Sequence, residues 1–297
     1  MTDTCSSAIS LIPCIRLVSL TGAKLEEMGI FRSSFVFFAL GLLLTLSSAS
    51  DSEVGNEIPF TYIEGTGKGP KEWGRIDPRW RACDTGKLQS PIDLLSERVQ
   101  VFPNLGKLKR DYKPAPAIVR NRGHDITVMW KGDAGKININ GTYYKLLQCH
   151  WHSPSEHTFN GSRYDLELHV VHLSSHGEIA VIGIVYKYGR PDPFLTKLLE
   201  HIKVVGKEDR DLGVINPGII KFGSRKYLRY IGSLTTPPCT EGVMWTVVRK
   251  VRTVSREQVE ALREAVHDGY EANARPTQRL DGRAVWLYTP RDNGGAA

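Results

Sequence analysis

The chain has 297 residues, 41% hydrophobic and 24% charged, which excludes a wholly disordered polymer and allows one large domain or two ordinary ones. A formal charge of +7 would suit an acidic partner, yet no Lys/Arg block occurs and acidic residues are interleaved throughout, so nucleic-acid binding is not expected. The first feature from the N-terminus is residues 35–46, an almost wholly apolar run preceded by Arg32 and followed by Ser47-Ser48-Ala49-Ser50. That layout predicts a secretory signal, and the run is too short to cross a bilayer comfortably; a membrane anchor or a core segment is the other reading. Met28 is the expected true start, with residues 1–50 a presegment and 51–297 a single mature domain. Nothing in residues 289–297 suggests a lipid anchor.

Removal of the presegment takes Cys5 and Cys14 with it and leaves Cys83, Cys149 and Cys239, one pair and one odd thiol. The sequons at Asn140 and Asn160 are candidate glycosylation sites and fit a secretory, disulfide-permissive compartment. Residues 51–90, rich in Gly, Pro and Trp, predict an irregular arm on a core. Next come β-branched and aromatic runs at 117–120, 126–130, 136–139, 143–152, 164–173, 179–188 and 242–251, each bounded by turn formers. Two helices are predicted, one opening at Asp192-Pro193 and one over 255–266, where Ser255 and Gln258 form a capping box. Composition and periodicity thus say mostly β, with no repeat or linker dividing 51–297.

The chemistry concentrates in Gln148-Cys149-His150-Trp151-His152, Glu156-His157 and Glu167-Leu168-His169-Val170-Val171-His172. On a strand, i and i+2 share a face, so His150 and His152 project together with Gln148, while Cys149 and Trp151 face away. On the second run Glu167, His169 and Val171 share a face, and antiparallel pairing would set His169 beside the first two. Three imidazoles with a fourth position open is the arrangement of catalytic zinc, whereas structural zinc is usually closed by four ligands. Gln148 and Glu167 are candidate partners that orient the imidazoles. His157, His172, His176, His201 and His267 are read as surface or packing residues, and Cys149 as a buried free thiol.

Together with Gln89-Ser90-Pro91-Ile92-Asp93, Asn121-Arg122-Gly123-His124 and Ser233-Leu234-Thr235-Thr236-Pro237-Pro238, these runs resemble the α-class carbonic anhydrases, and among them the secreted, plant-type branch. The resemblance covers about residues 62–283. It implies a single domain on a large, twisted, mainly antiparallel sheet with a few surface helices and a conical cleft. It implies Zn2+ on His150, His152 and His169, with zinc-bound hydroxide attacking carbon dioxide to give bicarbonate. Thr235 would accept a hydrogen bond from that hydroxide and donate its own proton to Glu156. His124 would be the proton shuttle, suited to it by an ordinary imidazole pKa near neutrality. Val171, Val181, Leu234, Thr236 and Trp245 would line the substrate pocket, and Cys83 and Cys239 would form a disulfide.

Departures from the family pattern are Arg122 and Thr127 near the shuttle and Ser153 after the first strand. Two other readings stand beside the enzyme: a non-catalytic binding or storage protein on the same scaffold, and a zinc esterase. The secretory route predicts an extracellular or apoplastic location, with delivery to a plastid as the plant-type alternative.

Overall fold

A computed structural model of the chain describes residues 59–290. The presegment 1–50, its internal start at Met28 and the tail 291–297 lie outside the described residues. The strands are β1 (Asp93–Leu94), β2 (Val99–Val101), β3 (Lys109–Tyr112), β4 (Ala115–Asn121), β5 (Ile126–Trp130), β6 (Gly135–Ile139), β7 (Thr142–His152) and β8 (Thr158–Phe159). They continue as β9 (Leu166–Ser174), β10 (Ile179–Tyr188), β11 (Arg210–Ile215), β12 (Tyr227–Ser233), β13 (Glu241–Val248), β14 (Arg252–Val254) and β15 (Val285–Tyr288). All but β1 and β8 join one mixed sheet whose main path runs β11-β4-β5-β7-β9-β10-β13-β12-β15-β2. Its pairs are antiparallel except β10–β13, β10–β14 and β15–β2.

Alternation along the central strands builds two cores. Cys149, Trp151, Leu168 and Val170 point to one face, where they join the larger apolar cluster. Helix α1 (Pro193–Ile202) covers this cluster with Phe194, Leu195, Leu198 and Ile202, and α2 (Arg256–Ala265) with Val259, Ala261 and Leu262. Both helices start where the sequence predicts. Asp192 accepts the amides of Phe194 and Leu195, and Ser255 with Gln258 closes the capping box, satisfying donors that have no intrahelical partner. The opposite face carries the histidines and a second cluster containing Val171, Val181, Tyr230, Leu234 and Trp245.

Two expectations need correction. The predicted strand 242–251 runs too far: β13 ends at Val248, Arg249 and Lys250 make an exposed bend, and the separate strand β14, beyond the predicted run, pairs with β10. Strand β12 was not predicted, because its first four residues, Tyr227-Leu228-Arg229-Tyr230, are all buried and carry no polar alternation.

The N-terminal arm forms two single helical turns, Trp73–Ile76 and Ala82–Thr85, around a third cluster of Phe60, Tyr62, Trp73 and Trp80. Cys83 and Cys239 are joined there as a disulfide across 156 positions, and Cys149 is the buried free thiol expected. No helix among the described residues is long and apolar enough to cross a membrane. A bridge closing so long a loop restricts the unfolded chain strongly. Replacing both Cys83 and Cys239 with Ser is expected to lower the unfolding free energy by about 2–5 kcal/mol in urea denaturation; an unchanged midpoint would show that the aromatic cluster alone holds the arm.

Candidate metal centre

The three histidines meet because the register of β7 and β9 sets His150 opposite His169, with His152 two residues further along the same face. Their side chains are buried, and one ring nitrogen from each lies within 4.8 Å of the others. The remaining nitrogen of each ring is held by an acceptor. His150 Nδ1 donates to Gln148 Oε1 at 2.9 Å, His152 Nδ1 to the Asn273 carbonyl at 2.8 Å, and His169 Nε2 to Glu167 Oε1 at 3.0 Å. Carbonyl and carboxylate oxygens only accept, so each contact fixes the ring proton on the outward nitrogen and leaves an inward lone pair.

Burial holds His150 well below the ordinary imidazole range and lowers His169 as well, so both rings are neutral at neutral pH, the form a metal needs. His152 Nε2 is buried with no hydrogen-bond partner. A buried nitrogen left bare between two other lone pairs is costly unless a cation takes them, so the donor set fits a metal ion.

Glu167 anchors more than His169. Its Oε1 also accepts His157 Nδ1 at 2.7 Å, and its Oε2 accepts the backbone amides of Glu156 and His157 at 2.9 and 2.8 Å. With four donors on one carboxylate, His157, Glu167 and His169 form a hydrogen-bond relay, although the three also lie close enough to hold a metal. The relay continues outward. Tyr230 Oη donates to His157 Nε2 at 2.7 Å, Ser90 Oγ donates to Tyr230 at 2.8 Å, and Ser233 N donates to Ser90 Oγ at 3.0 Å. The reading of His157 as mere packing is therefore incomplete: it is buried, and it orients Glu167. His172 is a packing residue, held by Tyr112 Oη and the Ala180 carbonyl.

Glu156 lies beside the triad, 3.6 Å from His152 Nδ1 and 4.0 Å from His169 Nδ1. Its Oε1 accepts the Arg275 amide at 2.9 Å, while Oε2 is buried without a partner. Thr235 is buried in the turn after β12, but the hydrogen bond expected from it to Glu156 is not made. Arg275, which no sequence signal singled out, spans this region. Its guanidinium donates to Gln89 Oε1, to the Ser90 carbonyl and to the Cys83 carbonyl, tying the disulfide arm to the backbone that holds Glu156.

Val171, Val181 and Trp245 form a row across β9, β10 and β13, with Leu234 in the same cluster and Thr236 half-buried nearby. Trp245 also backs the His169 ring, 4.8 Å centroid to centroid, and donates its indole N–H to the Ser233 carbonyl.

The surroundings of His124 differ most from expectation. Its side chain is only 13% exposed, and its ring packs against Phe60 and Tyr270. Burial pushes it down to about 4, away from the near-neutral value the sequence suggested. The two departures, Arg122 and Thr127, prove to be linked. Arg122 grips Asp125 with both arms of its guanidinium, and Thr127 Oγ1 donates to Asp125 Oδ1 at 2.9 Å. Burial raises the Asp125 carboxyl, but Arg122 together with the neighbouring His124 and His150 outweighs it and keeps the group well below the usual carboxylate range. Ser153, the third departure, donates its amide to Asn273 Oδ1, which helps place the carbonyl that holds His152.

The model of the eukaryotic-type carbonic anhydrase family matches residues 68–289. Alpha carbonic anhydrase 4 of Arabidopsis thaliana is 58% identical over 86% of this chain and 97% of its own length. Carbonic anhydrase Nec1 of Nesocodon mauritianus is 45% identical over 89% and 99%. Among solved structures, dioscorin complexed with ascorbate superposes with a TM-score of 0.77 at 44% identity, covering 79% of this chain and 99% of dioscorin. The α-carbonic anhydrase of Thermovibrio ammonificans, complexed with the inhibitor sulfanilamide, gives 0.71 at 37% identity over 78% and 100%. With the triad on paired strands and the match extending over the domain, the chain belongs to the eukaryotic-type α-carbonic anhydrase family.

Proposed function

We propose that this chain catalyses the reversible hydration of carbon dioxide to bicarbonate and a proton, with Zn2+ held by His150, His152 and His169. The observation that carries this reading is the convergence of three imidazole nitrogens, each aimed by a hydrogen bond on the far side of its ring. Zinc, when bound, supplies Lewis-acid activation of water at neutral pH, the effect for which carbonic anhydrases are the reference case.

Around that position the side chains divide the remaining work. Gln148, the Asn273 carbonyl and Glu167 hold the imidazole protons outward and keep the donors in place. Glu156 Oε2 is assigned as the fixed acceptor for the Thr235 hydroxyl proton, a bond formed when water enters, so that Thr235 Oγ1 is left to accept from the attacking water. Val171, Val181, Leu234 and Trp245 offer an apolar wall that suits a small linear substrate better than a bulky ester. His124 keeps the shuttle position of the family pattern, but a ring covered by Phe60 and Tyr270 and lowered to about 4 accepts protons poorly near neutrality, so proton export through it is slow.

A secretory route to the apoplast, or onward to a plastid, is supported by the disulfide and by the exposure of both sequon asparagines. Asn140 is the better glycan acceptor, because the Asn160 side-chain amide is already engaged with Ser96.

The deciding experiment measures carbon dioxide hydration and zinc content together on the purified mature chain and on His150→Ala. About one zinc per chain with hydration, both lost in the variant, is the expected result; zinc without hydration would favour a non-catalytic binding protein, a reading kept open by dioscorin, a relative complexed with ascorbate. Substituting Val171 with Phe is expected to abolish most hydration while zinc content stays unchanged, and full hydration would refute the pocket assignment. By NMR, His124 is expected to titrate near 4. Its imidazole is then neutral throughout the physiological range, and added imidazole buffer should speed hydration at pH 7. A midpoint near 6.5 would mean that the cover of Phe60 and Tyr270 opens in solution.

A further inference from the structure

Strand alternation places Tyr227 and Arg229 on the face of β12 opposite Leu228 and Tyr230, and therefore opposite the histidine triad. On that side, a cavity of about 720 Å³ opens at the far end of the sheet, lined by Lys107, Arg110, Lys221, Phe222, Arg225 and Arg252 among others. A second cavity of about 220 Å³ shares Lys107, Leu108 and Tyr227 with it and adds Lys109 and Arg229. Seven Lys and Arg side chains line the two, and no carboxylate does. Along β12, Tyr227 lies about 20 Å from Ser233, the end nearest Thr235, at the usual rise of a strand.

The cations are poorly neutralised within the protein. Lys107, Lys221 and Arg225 are exposed. Arg110 spends one N–H on the Ile220 carbonyl at 2.9 Å and lies 4.1 Å over the Phe222 ring, which holds its guanidinium at the mouth. Arg252 reaches Asp192 only at 3.8 Å, and its Nε is buried without a partner. Arg229 is 3% exposed and donates only to Thr246 Oγ1, from Nε and Nη2 at 3.2 and 3.0 Å, with its guanidinium over Tyr227. A buried guanidinium with no carboxylate is expensive for the fold, and an anion in the groove would supply the missing charge.

We infer that this groove binds an organic anion carrying two or more phosphate groups. Seven cations in one place call for more negative charge than a single carboxylate brings. Arginine forks match phosphate oxygens in pairs. The apolar floor of Leu108 and Phe222 offers a surface for the organic body, and the volume is that of a small-molecule site.

The test is calorimetric titration of the intact, zinc-loaded protein with adenosine triphosphate, with inorganic phosphate as the comparator and with sulfanilamide present or absent. One site per chain is expected, weakened roughly tenfold or more in K221E/R225E, with hydration unchanged in that variant. Both substituted residues are exposed, so the variant keeps its fold where Arg229→Met could lose it. Absence of binding, equal affinity in K221E/R225E, or inorganic phosphate binding as tightly as the triphosphate would each overturn the inference. So would displacement by sulfanilamide, which would put the anion among the histidines.

Discussion

The carboxylate of Glu167 is where the geometry of the site converges. It is fully buried, yet four donors surround it: two imidazole N–H groups and two consecutive backbone amides. Burial alone would raise its pKa, and the adjacent His157 and His169 reverse that and hold it well below the usual carboxylate range. A permanent anion at this point fixes the His169 tautomer, and through the amides it fixes the turn that carries Glu156. Space for it comes from a missing side chain, since a Cβ on Gly183 would sit 2.9 Å from Glu167 Oε1. One acid thus sets a ring of the triad, a neighbouring carboxylate and the residue allowed on the next strand.

A second constraint arrives from a distance. Arg275 brings Gln89, Ser90 and Cys83 together with the backbone amide that holds Glu156 Oε1. The N-terminal arm is therefore part of the site wall. Its Phe60 ring covers His124, and Tyr270 donates its hydroxyl to the Phe60 carbonyl from the other side. The fold that stabilises the arm is the same fold that removes water from His124 and lowers its basicity.

The site was readable from residues to the extent that it is local. The i, i+2 rule was enough to put Gln148, His150 and His152 on one face, and caps were enough to start both helices. Strand β12 escaped because burial on both faces erases alternation, and Tyr230 on the relay escaped with it. Arg275 and Asn273 carried no signal at all, since each reaches residues more than a hundred positions away. Arg122 and Thr127 were legible as departures near His124, and only the buried Asp125 between them reveals that they form a single unit.

By itself the sequence determined the three candidate histidines, their strand periodicity and the resemblance to the family, because these depend on residue identity and short spacing. The tertiary structure alone decided which ring nitrogens face inward, what holds Glu156 and how far His124 is from neutrality. Protonation and tautomer are set by burial and by partners distant in the chain, and those exist only once the sheet has closed around them.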